Sequence, residues 1–77
     1  MNKLRRTNLE KVMRSIEDAM YELECLKEEE EEYRDNIPEN LQGSERYERA
    51  DEACDNLDSA VSSLEEAISY IDDAINA

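Results

Sequence analysis

The heptad pattern in residues 50–75 constrains the fold of this chain more than any other feature. Apolar residues recur there at alternating spacings of four and three, as in an α-helix that buries one face along its whole length. They are Ala50, Cys54, Leu57, Val61, Leu64, Ile68, Ile71 and Ile75. A column of alanines precedes every second one of them: Ala53, Ala60, Ala67 and Ala74. The apolar face is therefore wide enough to need more than one neighbour.

A second apolar stripe of equal length precedes it. Its members are Leu9, Val12, Ile16, Ala19, Leu23, Leu26, Glu30, Tyr33 and Ile37, and Met13 and Met20 widen it on one side. Thr7 and Glu10 have the T-x-x-E spacing of a capping box, in which each side chain satisfies a free backbone N–H of the first turn. This pattern predicts a first helix over about residues 7–35, preceded by a basic arm, residues 1–6.

Residues 36–44 predict a connection between the two helices. Pro38 cannot continue a helix, because its ring clashes with the preceding turn and it has no N–H. We expect Asn36 to cap a short turn and Gly43 to end it in the left-handed conformation. Ser44 is then the N-cap of a second helix over about residues 45–76. Ile37 and Leu41 are expected to close the end of the core.

The two stripes predict one all-α domain, residues 1–77, folded as an antiparallel two-helix hairpin. Folding the chain about Gln42 pairs positions whose numbers sum to about 84. In that register Leu9 meets Ile75, and Leu26 meets Leu57. A core of this size rarely supplies more than ~3–5 kcal/mol, so small scaffolds often depend on association.

The contact between the two helices, which we call the seam, buries only the two stripes. A lone hairpin of this kind therefore leaves the apolar columns beside the seam in water. We therefore expect a homodimer that forms an antiparallel four-helix bundle. The expected interface residues are Met13, Met20, Ala53, Ala60, Ala67 and Ala74. The alternative is a monomeric hairpin whose alanines serve only helix propensity.

The charge disfavours direct nucleic-acid binding. Twenty-two acidic and nine basic residues give a net charge of −13, whereas duplex recognition depends on cations that neutralise phosphates. Residues 1–14 alone carry a net charge of +4, which serves either to contact phosphate or, as we favour, to neutralise nearby acidic helix ends. The expected partner is a protein with a basic surface, attracted by long-range steering.

The acidic residues allow two interpretations. Such runs are usually a solvated face, but carboxylates every 5–6 Å along a rigid helix also resemble the phosphates of a nucleic-acid strand. The candidate partner-binding residues are Glu28, Glu29, Glu31, Glu32, Asp51, Asp55, Asp58, Glu65 and Glu66. Specific calcium binding is not expected, because the loop that wraps the ion is missing.

Catalysis is not expected either. The chain has no histidine to act as a general base or metal ligand, and Cys25 and Cys54 are too far apart for a C-x-x-C motif. We expect no enzyme activity, cofactor, metal or small-molecule substrate. Two reduced thiols and no long apolar run favour a cytoplasmic protein with no membrane contact. Glu30, level with Cys54 in the seam, either fixes the register or reaches water where the helices splay.

The connection and the second helix contain sequence motifs that resemble those of a known group of proteins. Residues 33–44 read YRDNIPENLQGS, and residues 57–68 read LDSAVSSLEEAI. Over roughly residues 28–75 the chain resembles a module of small acidic helical-hairpin proteins from Gram-positive bacteria, their phages and mobile elements. The resemblance implies a helical hairpin in a phage or prophage setting, without catalytic residues, and favours an anti-defence inhibitor. The other hypothesis is a structural or adaptor coiled coil whose acids only keep it soluble.

Overall fold

The computed structural model describes all 77 residues. It contains two long helices, α1 (Lys3–Asp35) and α2 (Glu45–Ile75), and the connection between them holds one 3₁₀ turn, Glu39–Leu41. The helices pack against each other along a rod whose Cα extents are 59 × 16 × 12 Å. The predicted all-α hairpin is confirmed.

The start of α1 differs from the prediction. The helix begins at Lys3, and Asn2 is its N-cap, with Oδ1 accepting a hydrogen bond of 2.7 Å from Arg5 N. Thr7 lies inside the helix and donates its hydroxyl to the Lys3 carbonyl at 3.1 Å. Asparagine is among the best N-caps, and lysine, leucine and arginine are good helix formers, so the helix extends past the capping box. Most of the predicted basic arm is therefore the first turn of α1.

The connection ends α1 where Pro38 requires it, but two details of the prediction are wrong. Asn36 is the C-cap of α1, its N–H donating to the Glu32 carbonyl at 3.0 Å, and no side chain caps the 3₁₀ turn. Gly43 does not take a positive φ. The Ser44 N–H bonds the Leu41 carbonyl at 3.0 Å, so the turn closes without a left-handed residue.

The predicted N-cap of α2 is confirmed. Ser44 Oγ accepts a hydrogen bond of 3.3 Å from Tyr47 N. The end of the core is closed by one of the two expected residues: Ile37 is 4% exposed, whereas Leu41 is 46% exposed. Leu41 is the last residue of the short 3₁₀ turn, and its N–H donates to the Pro38 carbonyl at 2.8 Å.

The buried face of α2 is the predicted heptad stripe. Its most buried members are Ala50, Cys54, Val61 and Ile75, and the others are half-buried. The helix ends at Ile75, where Asn76 is the C-cap.

One column of the buried face of α1 is as predicted, and the other is displaced by one residue. The column in place has half-buried members and ends at the buried Ile37: Leu9, Ile16, Leu23 and Glu30. The expected column of Val12, Ala19, Leu26 and Tyr33 is exposed, with Val12 at 50% and Leu26 at 51%. The next column, Met13, Met20, Lys27 and Arg34, is half-buried in its place. Methionine reaches into irregular gaps, and the alkyl stems of lysine and arginine cover apolar surface while their charged ends pair across the helices.

Two cross-helix ion pairs show the register of the hairpin. Lys27 Nζ lies 3.1 Å from Asp58 Oδ1, and Arg34 Nη1 lies 3.0 Å from Asp51 Oδ1. Both pairs have position numbers that sum to 85, in agreement with the predicted value of about 84. The register is therefore as predicted, while the pairing of Leu26 with Leu57 is not, because Leu26 lies outside the seam.

Candidate interaction surfaces

The hairpin has two broad faces that differ in chemistry. Residues seven apart lie on nearly one line along a helix, and sequence neighbours are rotated by about 100°. On one side of the seam both helices present a heptad row of carboxylates, which together we call the acidic face. Its members are Glu10, Glu17, Glu24, Glu31, Asp51, Asp58, Glu65 and Asp72. Lys27 bonds both Glu31 and Asp58, at 3.8 and 3.1 Å, so the two rows share one side of the molecule.

Two cations are embedded in the acidic face. The hydrogen bond to Asp58 and the nearby charges of Glu31 and Glu24 raise the pKa of Lys27 above its ordinary 10.5. Hydrogen bonds to Asp35 and then Asp51 raise the pKa of Arg34 further. Both groups are thus charged at any physiological pH. Exposed ion pairs are worth ~0–1 kcal/mol each, so they orient the helices more than they stabilise them.

A shallow polar groove of about 250 Å³ crosses the seam at these cations. Lys27, Glu31, Arg34, Asp55 and Asp58 line it, together with Cys54 at its floor. Burial raises the pKa of the Cys54 thiol, and the nearby Arg34 opposes that shift only in part. A thiol whose ionised form is disfavoured is a poor nucleophile and a poor metal ligand. Cys54 is thus a packed apolar residue in the seam, while Cys25 is exposed on the outer side of α1.

The predicted acidic residues do not share one surface. Glu31, Asp51, Asp58 and Glu65 belong to the acidic face, with Asp55 in the adjoining groove. The helical rotation places Glu28 at the outer edge of that face and Glu32 and Glu66 on the outer sides of their helices. Glu29 lies on the opposite broad side.

Four members of the acidic face were missed by the sequence reasoning: Glu10, Glu17, Glu24 and Asp72. The signal was available, because Glu10, Glu17, Glu24 and Glu31 recur every seven residues, as do Asp51, Asp58, Glu65 and Asp72. Runs of adjacent acids are dense in the sequence, but a helix separates adjacent residues onto different sides, so the seven-residue recurrence is what marks a shared face.

The opposite broad side, which we call the apolar face, is formed by two columns without charge, from Val12 to Tyr33 on α1 and from Ala53 to Ala74 on α2. Its members are Val12, Ala19, Leu26, Tyr33, Ala53, Ala60, Ala67 and Ala74. Met13 and Met20, expected on the uncovered surface, are instead half-buried in the seam of the chain's own hairpin. The expected alanine column does border the seam on this side, and Ala74 is exposed.

The loop end of the apolar face has a polar corner. Arg46 Nε donates a hydrogen bond of 2.7 Å to the Tyr33 hydroxyl, across an open groove of about 440 Å³ that Glu30, Arg49 and Ala50 also line. Glu30 makes no hydrogen bond or ion pair with the protein and opens into this groove. Of the two readings of Glu30, the structure therefore favours the one in which it reaches water.

Neither helix has a stretch that is both long and apolar enough to cross a bilayer. The side chains form no group of three or more potential ligands arranged around a metal ion. Comparison with known proteins found no matching family model, no matching curated protein and no matching solved structure.

Proposed function

We propose that this chain is a non-enzymatic interaction module whose acidic face binds the basic surface of a nucleic-acid-binding protein, in the place of DNA or RNA. The proposed setting is the bacterial cytoplasm, with a host defence protein as the target of a phage or mobile element, as the resemblance of residues 28–75 suggests. One observation carries the proposal: the two helices align two heptad rows of acids, eight carboxylates in all, on one broad side of the hairpin.

The charge density of the rod supports this mode of binding. A net charge of −13 over a length of 59 Å is one charge per about 4.5 Å. One strand of DNA carries one charge per ~3.4 Å of axis, and the duplex one per ~1.7 Å. The chain is thus closer to a single strand, and a basic groove would release its counterions to it in a similar way.

The embedded cations leave the acidic face strongly negative. Lys27 and Arg34 pair with Asp58 and Asp51, so the face retains six more acids than bases. The same pairs hold the two rows at a fixed spacing, which lowers the ordering cost of binding. A rigid pattern of charges gives more specificity than the same charges on a disordered tail.

Pairs of adjacent residues allow a matched test. The triple variant Glu17→Gln, Glu65→Gln and Asp72→Asn removes three acids from the acidic face. Its control, Asp18→Asn, Glu66→Gln and Asp73→Asn, removes three acids from the next positions, which point about 100° further around each helix. Immobilised protein is used to capture partners from bacterial lysate at about 50 mM salt, and affinities are then measured on the purified partner.

We expect a captured nucleic-acid-binding protein that duplex DNA displaces. The acidic-face variant should bind it about tenfold more weakly than the control, because both have the same net charge but only one has lost charges at the contact. Raising the salt to about 500 mM should abolish binding. Equal weakening by the two variants, or no capture of such a protein at low salt, would contradict the proposal.

The second candidate function is a structural adaptor that binds through apolar surface. The exposed Val12 and Leu26 favour it, since soluble monomers rarely leave such residues in one continuous row. In that case partner binding would respond little to salt and would be lost on placing a charge at Leu26.

A further inference from the structure

We infer that the apolar face is the contact surface for a second copy of this chain, and that the two hairpins stack into a four-helix bundle. The surface differs from the one expected from the sequence. It uses Val12, Leu26 and Tyr33 on α1 in place of Met13 and Met20.

The exposed area of the single hairpin supports this inference. A compact monomer of 9.0 kDa exposes about 4,850 Å² by the usual scaling of surface with mass. The hairpin exposes 5,796 Å², an excess of about 900 Å² over that value. A broad face of 59 × 16 Å also measures about 900 Å². Stable interfaces bury ~800 Å² per partner, so covering this one face removes the excess and suffices for a dimer.

The distribution of charge favours a second copy of the chain as the molecule that covers the apolar face. Two chains of net charge −13 repel each other, so they can associate only through a surface that keeps their acids apart. The columns that form and border the apolar face carry three acids, Glu22, Glu29 and Glu30, and three bases, Arg5, Arg46 and Arg49. The local net charge is therefore zero. Stacking two such faces leaves both acidic faces outward, whereas a basic partner would find no excess of acids here.

The side chains on the apolar face are also self-complementary. The large residues lie on α1 and the alanines on α2, so a twofold axis parallel to the helices places each large residue against a small one. In the register of the hairpin, Leu26 then lies level with Ala60 of the second copy, and Tyr33 lies level with Ala53. Alanines allow the helices to approach closely, while Leu26 and Tyr33 fill the space between them.

Dimerisation would also change the acidic surface, a consequence that depends on the proposed function. Two chains present a net charge of −26 over the same 59 Å, or one charge per about 2.3 Å. That density approaches the duplex value of one per ~1.7 Å. The dimer would thus resemble duplex DNA more closely than the monomer does.

The test is sedimentation at micromolar concentration, which needs no partner and so is independent of the proposed function. The wild type should sediment at twice the 9.0 kDa of one chain. Leu26→Glu should sediment as a monomer with its helical circular dichroism retained, because Leu26 is outside the seam. The control Cys25→Glu adds the same charge to the adjacent exposed position on the outer side of α1 and should remain a dimer.

A wild type that sediments at 9.0 kDa throughout would overturn the inference. So would a Leu26→Glu variant that stays as dimeric as Cys25→Glu. Should Leu26→Glu lose its helices, Ala60→Glu serves as the second variant, and persistence of its dimer would count against the inference in the same way.

Discussion

The acidic face and the apolar face lie on opposite sides of one seam and are built differently. The acidic face is held by bonds within the chain, since Lys27 and Arg34 join it to both helices. The apolar face has only the Tyr33–Arg46 hydrogen bond at its loop end, and its large side chains project into solvent. The hairpin therefore ties its acidic side together with two cations that reach across the helices, while the large side chains of its apolar side remain in solvent.

This difference separates two kinds of recognition in a small chain. Charges act over a Debye length of ~8 Å and can capture a partner at a distance, whereas apolar contact needs close packing. Under the two proposals made above, the opposite placement of the faces would allow self-association and partner binding to occur together. We therefore expect variants of the acidic face to change partner binding and variants of the apolar face to change self-association.

The largest change in the free energy of unfolding is expected when a valine of the seam is shortened to alanine. The matched control shortens a valine of the apolar face. Val61 is 6% exposed and Val12 is 50% exposed, and both lie within helices. Val61→Ala should lower the free energy of unfolding by about 1–2.5 kcal/mol, from lost burial and a cavity, less the better helix propensity of alanine. Val12→Ala should change it by less than about 0.5 kcal/mol, since little burial is lost.

Urea unfolding at a concentration where the chain is monomeric measures both values. If Val12→Ala destabilises the monomer as much as Val61→Ala, Val12 belongs to the seam and the apolar face is wrongly placed.

A smaller change in stability is expected when the pH is raised, because Cys54 lies buried in the seam beneath the acidic face. Burial raises the pKa of Cys54 above its ordinary 9.0, so the unfolded chain loses this proton first. The folded state then holds more protons than the unfolded state, and stability falls as pH rises above about 9. Lys27 adds to this loss only above 10.5, because its pKa is also raised.

The measurement is the free energy of unfolding in urea between pH 7 and about 10. Cys54→Ala should be less stable at pH 7 but should show a shallower decline above pH 9, where the wild type ionises its thiol on unfolding. Identical slopes would mean that Cys54 is not buried.

The smallest effect is expected from removing a cation of the acidic face. Lys27→Met continues the column of Met13 and Met20 across the seam. It loses two exposed ion pairs, worth ~0–1 kcal/mol each, and gains apolar contact, so stability should stay within about 1 kcal/mol of the wild type. Thermal unfolding checks this. A loss of more than about 2 kcal/mol would show that Lys27 is needed to hold the hairpin closed rather than to orient it.

The fold could be predicted from the sequence because its determinants are local and periodic. The apolar stripe from Ala50 to Ile75 determines α2. Pro38 and Ser44 separate α2 from α1, and the equal lengths of the two stripes determine the register. The N-terminus was mispredicted because Asn2 and Thr7 are both acceptable caps. The choice between them depends on the helix propensity of the residues in between.

The rotation of α1 could not be read from hydrophobicity. Val12 and Leu26 are better core residues than Lys27 and Arg34, so the apolar pattern alone selects the wrong column. In the structure the seam instead holds Met13 and Met20 with the stems of Lys27 and Arg34, whose charged ends reach Asp58 and Asp51 on the other helix. These contacts join residues far apart in sequence, and the rotation sets which side of the hairpin is acidic and which is apolar.

The most direct test of this arrangement is an isotope-filtered nuclear Overhauser experiment on a mixed sample of labelled and unlabelled chains. The Met20 methyl group should show contacts to α2 methyl groups of its own chain. The Leu26 methyl groups should show contacts to Ala60 only in the spectrum selected for contacts between chains. Contacts from Leu26 to Leu57 of the same chain, with Met20 showing none, would contradict the account, because Leu26 would then lie in the seam and the apolar face would not exist.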